Sequence, residues 1–264
     1  MSDLQAGQAG KGSDEPRLQF TCNICNRDNE VALAALDREK RSCAHCGSSV
    51  RTRAMIHLLS MALFDESLAI DEFPVSPRLR GIGLSDWPGY ANRLPHKLGY
   101  VNSYYHQEPK LDITAVPPQR FETCDFLIST DVFEHVLAPV SAAFEGAYAL
   151  LKPGGVMIFS VPFTNRGHET LEHFDALHDF EVIEDADAYR LVNRRADGRV
   201  DTYRGLKFHG GPGATLEMRL FCRESLLSEL RRAGFQVEFF DYPVEHRGII
   251  WQQSWSVPLL ARKG

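Results

Sequence analysis

The sequence contains no long apolar run, and no stretch approaches the roughly 20 consecutive apolar residues that a membrane-spanning helix needs. Residues 1–15 are polar and lack the apolar core of a secretory signal. We therefore expect a soluble, cytoplasmic protein. Nothing in the sequence indicates the oligomeric state.

Basic residues are also scarce for a chain that would bind nucleic acid. The 264 residues include 29 Lys and Arg against 35 Asp and Glu, so the formal net charge is −6. A general nucleic-acid-binding protein would be basic, so an RNA-binding role would require a local basic patch. The hydrophobic fraction of 44% is typical of a globular chain, and the length allows one full domain with a small one.

Two common nucleotide-binding motifs are missing. The sequence contains neither G-x-G-x-x-G, which is typical of dinucleotide-binding sites, nor the P-loop pattern G-x-x-x-x-G-K-[ST]. This absence argues against a dinucleotide-dependent enzyme and against a P-loop nucleotidase.

Four of the six cysteines form two C-x-x-C pairs, Cys22 with Cys25 and Cys43 with Cys46. The 17 residues between the pairs lie within the range of about 15–20 that is typical of zinc sites. Two such turns, brought together by a short hairpin, place four thiolates around a tetrahedral centre. We predict a structural Zn²⁺ that folds this module and leaves no open position for catalysis. A disulfide framework and a thioredoxin-like redox pair are the alternatives.

The residues around these pairs are locally basic, a feature that has two interpretations. The basic side chains are those of Arg38, Lys40, Arg41, Arg51 and Arg53. They could bind the phosphates of RNA. They could equally form a solvated rim that balances the charge of the thiolates.

Composition and hydrophobic periodicity divide the chain into four parts. These are a disordered tail, a zinc ribbon, a connecting helix with a linker, and a main domain, over residues 1–17, 18–53, 54–76 and 77–264. In the main domain, short apolar strands alternate with helices, which is typical of a mostly parallel sheet covered on both faces. Residues 163–222 interrupt the alternation as an insert, in which Asp197-Gly198 predicts a hairpin.

The most specific pattern lies in residues 125–162. They read D-F-L-I-S-T-D-V-F-E-H-V, continue through a predicted helix over Phe133–Leu151, and end with L-K-P-G-G before the strand V-M-I-F-S-V. In these motifs the chain resembles the class I S-adenosylmethionine-dependent methyltransferases, directly over residues 77–162 and by element order over 223–262. The resemblance implies a Rossmann-like, doubly wound α/β fold with a mostly parallel seven-stranded sheet. It also implies S-adenosyl-L-methionine as the cofactor.

The same resemblance implies that the loop after the first strand approaches the methionine end of the cofactor. This loop holds Gly81, Gly83, Ser85 and Asp86, and Asp86 is expected to hold the ammonium group. Ser85 and Asp86 stand where the family usually has further glycine.

Four more residues are implied in cofactor binding. Asn102 stands where the family usually has an acid for the ribose hydroxyls, and Asp112 matches the acid near the adenine amino group. Asp131 is expected beside the methionine part or the substrate, and His135 matches the histidine of the family's E-H-V segment near the pocket. Helix capping by Asp86 and Asp131, a turn at Asp112 and helix packing by His135 are the alternatives.

The insert is the expected place for acceptor recognition, because it follows a strand whose end faces the ligand crevice. We predict His209 as the first candidate for a general base and His178 as the second, since an unperturbed imidazole titrates near neutrality. Each could instead only hydrogen-bond a turn. The five-residue steps from His168 through His173 to His178 argue against a catalytic metal on these histidines, because the three do not share a helix face.

The resemblance implies methyl transfer by in-line displacement, in which the enzyme aligns the acceptor and excludes water. We expect a polar small molecule or a glycan as the acceptor, given the acidic charge and the insert rich in histidine and glycine. The alternatives are an RNA methyltransferase that uses the basic ribbon, a protein methyltransferase, and a non-catalytic scaffold on the same fold. RNA binding would weaken steeply with salt, and a scaffold would not bind the cofactor.

Overall fold

The computed structural model describes residues 15–185 and 188–264. Residues 1–14 of the predicted disordered tail lie outside this range, and Arg17 already belongs to the first strand. The strands β1 (Arg17–Thr21) and β2 (Asp28–Ala32) pair in antiparallel register, with the first C-x-x-C pair in the turn between them.

The helix α1 (Val50–Phe64) follows the second C-x-x-C pair and confirms the predicted connecting helix. It begins at Val50 because Ser49 and Thr52 form a capping box. In this box the Ser49 side chain accepts from the Thr52 backbone N–H, and the Thr52 hydroxyl accepts from the Ser49 N–H. The cap fixes the direction in which the chain leaves the ribbon.

The next elements build most of the central sheet. They are β3 (Ser76–Leu84), α2 (Pro88–Ala91), β4 (Leu98–Ser103), β5 (Cys124–Thr130), α3 (Ser141–Leu150) and β6 (Leu151–Ser160). The predicted single helix from Phe133 to Leu151 is wrong in its first part. Phe133–His135 form a 3-10 turn, and the α-helix begins only at Ser141, because Pro139 has no N–H with which to continue a helix through that point.

The insert consists of short strands that pair locally. They are β7 (Phe163–Thr164), β8 (Leu171–Glu172), β9 (Asp179–Asp185), β10 (Ala188–Arg194), β11 (Val200–Arg204), β12 (Phe208–His209), β13 (Thr215–Leu216) and β14 (Arg219–Cys222). The predicted hairpin at Asp197-Gly198 is confirmed between β10 and β11, and Gly198 has a positive φ of 86°. The strand β9 was not predicted, and most of its residues are exposed.

The chain ends with α4 (Arg223–Arg232), β15 (Phe235–Phe239) and β16 (Leu259–Lys263), and the central sheet has the order β15-β16-β6-β5-β3-β4. Its strands β4, β3, β5 and β6 are parallel, and β16 is antiparallel to both of its neighbours. The described residues provide six strands rather than the expected seven. Residues 104–123 add no strand to this sheet, and they contain Pro109, Pro117 and Pro118, which cannot donate ladder hydrogen bonds.

Alternate residues of the central strands pack into two hydrophobic clusters, one on each face of the sheet. Phe126 and Ile158 join a cluster with Cys22, Ile24 and α1, so the ribbon shares its core with one face. The intervening residues of the same strands, such as Leu127 and Phe159, pack with α3 and α4 on the other face. None of the helices in the described ranges has the length and apolar character needed to span a membrane.

Candidate functional site

A cavity of about 620 Å³ opens at the carboxyl ends of β5 and β6, the edge where parallel sheets bind their ligands. Thr130 and Asp131 border it where β5 ends. Other parts of the chain complete its wall: the ribbon with α1, the insert through His209, and the C-terminal segment through Trp251 and Trp255. The cavity therefore joins the small N-terminal unit to the main domain.

Asp131 is the electrostatic centre of this cavity. Two guanidinium nitrogens of Arg38 donate to its carboxylate at 3.1 and 2.9 Å, and the Ser160 hydroxyl donates at 2.8 Å. Nε of Arg51 lies 3.4 Å from Oδ2. Burial opposes ionisation, but Arg51 and Arg38 outweigh it and hold the pKa of Asp131 well below its usual range. Asp131 itself caps no helix, which removes that alternative.

The basic residues of the ribbon point mostly inward. Arg38 and Arg51 bind Asp131 and Glu39, while the Arg53 side chain is completely buried. Arg53 donates to the carbonyls of Ser48 and Gly248 and stands over the Phe20 ring at 4.6 Å. Lys40 and Arg41 remain exposed. Three of the five basic side chains therefore form neither a phosphate-binding patch nor a solvated rim.

The four cysteines lie together as predicted. The Sγ atoms of Cys22 and Cys46 are 3.7 Å apart, and those of Cys25 and Cys43 are 3.6 Å apart. A tetrahedral zinc with Zn–S bonds of about 2.3 Å separates its sulfurs by about 3.8 Å. These distances fit a structural Zn²⁺, and none of the six cysteines forms a disulfide in the described residues.

Asp86 and Asn102 meet at the ends of β3 and β4. Asn102 donates to the Asp86 carbonyl at 3.0 Å and accepts from the Asp86 N–H at 2.9 Å. The buried Asp86 carboxyl accepts from the Tyr100 hydroxyl at 2.6 Å and from the Thr130 hydroxyl at 3.4 Å. Burial raises the pKa of Asp86 to about 7, since no guanidinium or ammonium group pairs with it in the described part of the chain. Asp86 does not cap α2.

The two glycines of β3 are required by packing inside the protein. A Cβ on Gly81 would lie 2.0 Å from the Phe126 ring, and one on Gly83 would lie 2.0 Å from the Tyr100 hydroxyl. Packing alone therefore explains both glycines, so they are not evidence for a cofactor site. Ser85 follows in the left-handed region, with a φ of 55°.

Asp112 lies in a turn of the segment between β4 and β5. Its Oδ1 accepts from the backbone N–H and from the hydroxyl of Thr114, at 2.9 and 2.7 Å. These hydrogen bonds are those of a turn residue, and the second Asp112 oxygen is not used in them.

A second group of titratable side chains adjoins the cavity at His209. Its Nε2 donates to Oε2 of Glu217 at 2.9 Å, and its Nδ1 lies 3.3 Å from Oε1 of Glu134. The rings of His135 and His209 meet edge to face at 4.7 Å. The carboxylates of Glu134 and Glu217 raise the pKa of His209 to about 10, so the prediction of an unperturbed imidazole at this position is wrong.

His178, the second predicted base, and Arg219, another residue of the insert, both hydrogen-bond within the protein. His178 is exposed, its backbone N–H donates to Asn193, and it does not border the cavity. Arg219 is completely buried and donates to Glu172 and to the carbonyls of Phe133 and Val136. Arg219 thereby fixes the turn that presents Glu134 and His135.

Sequence reasoning missed the contributions of Arg38, Arg51 and Glu134 to this region. The E-H-V segment contained the signal for Glu134, since an acid and a histidine stand together in an otherwise apolar stretch. Nothing in the sequence pairs the two ribbon arginines with Asp131.

Residues 77–238 match the family model described as a methyltransferase domain. The chain belongs to this family and is a class I, S-adenosylmethionine-dependent methyltransferase. No curated protein matches the chain.

Solved structures with a similar fold include methyltransferases from several bacteria. An S-adenosylmethionine-dependent methyltransferase from Clostridium acetobutylicum is 11% identical, with 81% of this chain and 92% of that chain covered and a TM-score of 0.45. CalS10, an amino pentose methyltransferase from Micromonospora echinaspora, is 15% identical, with 83% and 93% covered and a TM-score of 0.43. A putative methyltransferase from Listeria monocytogenes is 14% identical, with 81% and 99% covered and a TM-score of 0.46.

Proposed function

We propose that this enzyme transfers a methyl group to a polar small molecule or a glycan bound in the cavity at the ends of β5 and β6. The cavity carries the proposal. Its volume of about 620 Å³ lies within the range of about 300–1,000 Å³ that is typical of small-molecule sites. Its wall combines the charged pair of Arg38 and Asp131 with the indole rings of Trp251 and Trp255. Indole faces suit the apolar faces of a sugar ring, and charged groups suit its hydroxyls.

The residues at the neighbouring strand ends fit the polar groups of S-adenosylmethionine. Asp86 is a buried carboxyl without an ion-pair partner in the described ranges, so a bound ammonium group would satisfy it. We assign the ribose hydroxyls to Asn102, the adenine amino group to Asp112 and the methionine end to the backbone of the β3 loop at Gly81, Gly83 and Ser85. The cofactor supplies the electrophilic methyl group when bound.

The chain's own residues align the acceptor with that methyl group and exclude water, as an in-line displacement requires. We place Asp131 and His135 beside the reacting ends of cofactor and acceptor. His209 is the proposed catalytic residue from the insert, because it borders the cavity. His178, the second candidate, would require the insert to change its position.

No observation favours RNA as the acceptor, because Arg38, Arg51 and Arg53 are turned into the protein. We also propose a cytoplasmic location, since a reducing compartment keeps the four cysteines available as zinc ligands rather than as disulfides.

A methyl-transfer assay with a labelled cofactor tests the proposed function. The acceptors are a panel of sugars and hydroxylated small molecules, total cellular RNA, and a protein extract. We expect label in the small-molecule fraction, and we expect Trp255→Ala to raise the acceptor KM about three- to tenfold, since it removes an aromatic contact. The matched control is Tyr242→Ala. Tyr242 is an aromatic residue as exposed as Trp255, and it does not border this cavity. Label in RNA, with RNA binding that weakens steeply with salt, would replace the proposal by the RNA alternative.

A further inference from the structure

Three side chains from two segments converge beside the cavity: Glu134, His135 and His209. Each offers one oxygen or nitrogen, and these three atoms lie within 4.8 Å of one another. Glu134 and His135 come from the 3-10 turn after β5, and His209 comes from β12 of the insert. We call this group the Glu134 cluster.

The buried carboxylate of Glu134 has unused acceptor oxygens that face the two histidines. The side chain is completely buried, and neither of its oxygens accepts a hydrogen bond from the described residues. The nearest nitrogens are Nδ1 of His209 at 3.3 Å and Nε2 of His135 at 3.7 Å. Burial of a carboxylate without a hydrogen-bond partner is costly, and a bound cation removes that cost.

The two histidines are oriented as metal ligands usually are. Nδ1 of His135 donates to the Leu216 carbonyl at 2.7 Å, which leaves its Nε2 toward Glu134. Nε2 of His209 donates to Glu217 at 2.9 Å, which leaves its Nδ1 toward Glu134. Metal-binding histidines characteristically donate their other ring N–H to a carbonyl or a carboxylate in this way. His173 holds Glu217 in turn, at 2.6 Å.

We propose that Glu134, His135 and His209 bind a first-row divalent transition metal ion such as Zn²⁺, separate from the structural zinc of the ribbon. Two imidazoles and one carboxylate are a ligand set of catalytic zinc and non-haem iron sites, and they disfavour Mg²⁺ and Ca²⁺, which prefer oxygen. Three protein ligands leave coordination positions open. Because His209 also borders the cavity, an oxygen of a bound acceptor can complete the coordination.

This site differs from the metal site that the sequence argued against. The excluded ligands were His168, His173 and His178, which are spaced along one segment. His209 and the turn after β5 come together through tertiary contacts, in which Leu216, Met218 and Arg219 hydrogen-bond that turn.

The metal content of the purified protein tests the proposal without cofactor or acceptor, so its outcome is independent of the proposed function. After loading with excess Zn²⁺ and removal of free metal, we expect two ions per chain in the wild type. Glu134→Gln keeps the shape of the side chain and removes its charge, and we expect it to retain one ion. Glu217→Gln should lower the affinity for the second ion about 10–100-fold, as loss of a carboxylate that hydrogen-bonds a ligating histidine does.

The matched control is His168→Ala, which breaks an exposed His–Glu pair with Glu224 and should retain two ions. Co²⁺ substitution adds a second readout, since the ribbon site shows thiolate-to-cobalt charge transfer and the Glu134 cluster does not. One ion per chain in the wild type, or a second ion that persists in Glu134→Gln, overturns the proposal and leaves His209 as a cation between two carboxylates.

Discussion

Replacement of Cys22 by serine removes one zinc ion per chain and unfolds the ribbon. Structural zinc contributes about 10–16 kcal/mol in isolated zinc-finger peptides, so loss of one thiolate removes a large share of the stability of this small unit. Cys22 is completely buried and belongs to the cluster that the ribbon shares with the central sheet. Methyl transfer is therefore lost as well, because the ribbon carries Arg38 and α1 carries Arg51 to the cavity. Metal analysis and thermal unfolding measure both effects.

Cys124→Ser is the matched control for this change. Cys124 is also a buried thiol, but it lies in β5 away from the four-cysteine cluster. The Cys124→Ser protein should keep its zinc. It should lose only the modest stability expected when a polar hydroxyl replaces a thiol in a core. A Cys22→Ser protein that keeps both its zinc and its melting temperature contradicts the structural role of the metal.

Asp131→Asn lowers the free energy of unfolding by about 3 kcal/mol, because it leaves two partly buried guanidinium groups with only the more exposed Glu39 as a carboxylate partner. The side chains of Asp131, Arg38 and Arg51 are each only 15–16% exposed, so water compensates them poorly. Chemical denaturation measures the change. We also expect a strong loss of methyl transfer, since the arginines that Asp131 holds line the cavity.

Asp125→Asn is the control. Asp125 lies near the start of β5, whereas Asp131 directly follows its end. Asp125 pairs with Lys152 at 2.8 Å, but the two side chains are 24% and 39% exposed. Exposed pairs contribute about 0–1 kcal/mol, so this variant should lose little stability and no activity. Equal losses in both variants would show that Asp131 has no special role.

The sequence predicted the fold well where local patterns determine it. Apolar runs located β3 to β6, the helical spacing of apolar residues located α1, and Asp197-Gly198 located the β10–β11 hairpin. The start of α3 was placed too early, because the helical spacing of Phe133–His135 concealed the interruption at Pro139. The expectation of a seventh strand was likewise not met, because the proline-containing residues 104–123 add no strand to the central sheet.

The site was predictable only in part, since its essential contacts join residues far apart in the chain. Asp86 and Asn102 meet because adjacent parallel strands end at one edge, which the sequence implied. By contrast, Arg38 reaches Asp131 only through the packing of the ribbon on the sheet. The altered pKa of His209 also follows from a tertiary contact with Glu134 and Glu217 that no local pattern contains.

Isothermal titration of the zinc-loaded protein with S-adenosylmethionine and S-adenosylhomocysteine tests the central claim most directly. We expect binding in the micromolar range, and Asp112→Ala should weaken it about 10–100-fold, as loss of a charged hydrogen-bond partner does. Asp197→Ala is the control, because Asp197 forms a similar turn, with Arg199, in the β10–β11 hairpin of the insert. Binding that only Asp112→Ala weakens supports the account, whereas a folded, zinc-loaded protein that binds neither ligand contradicts it.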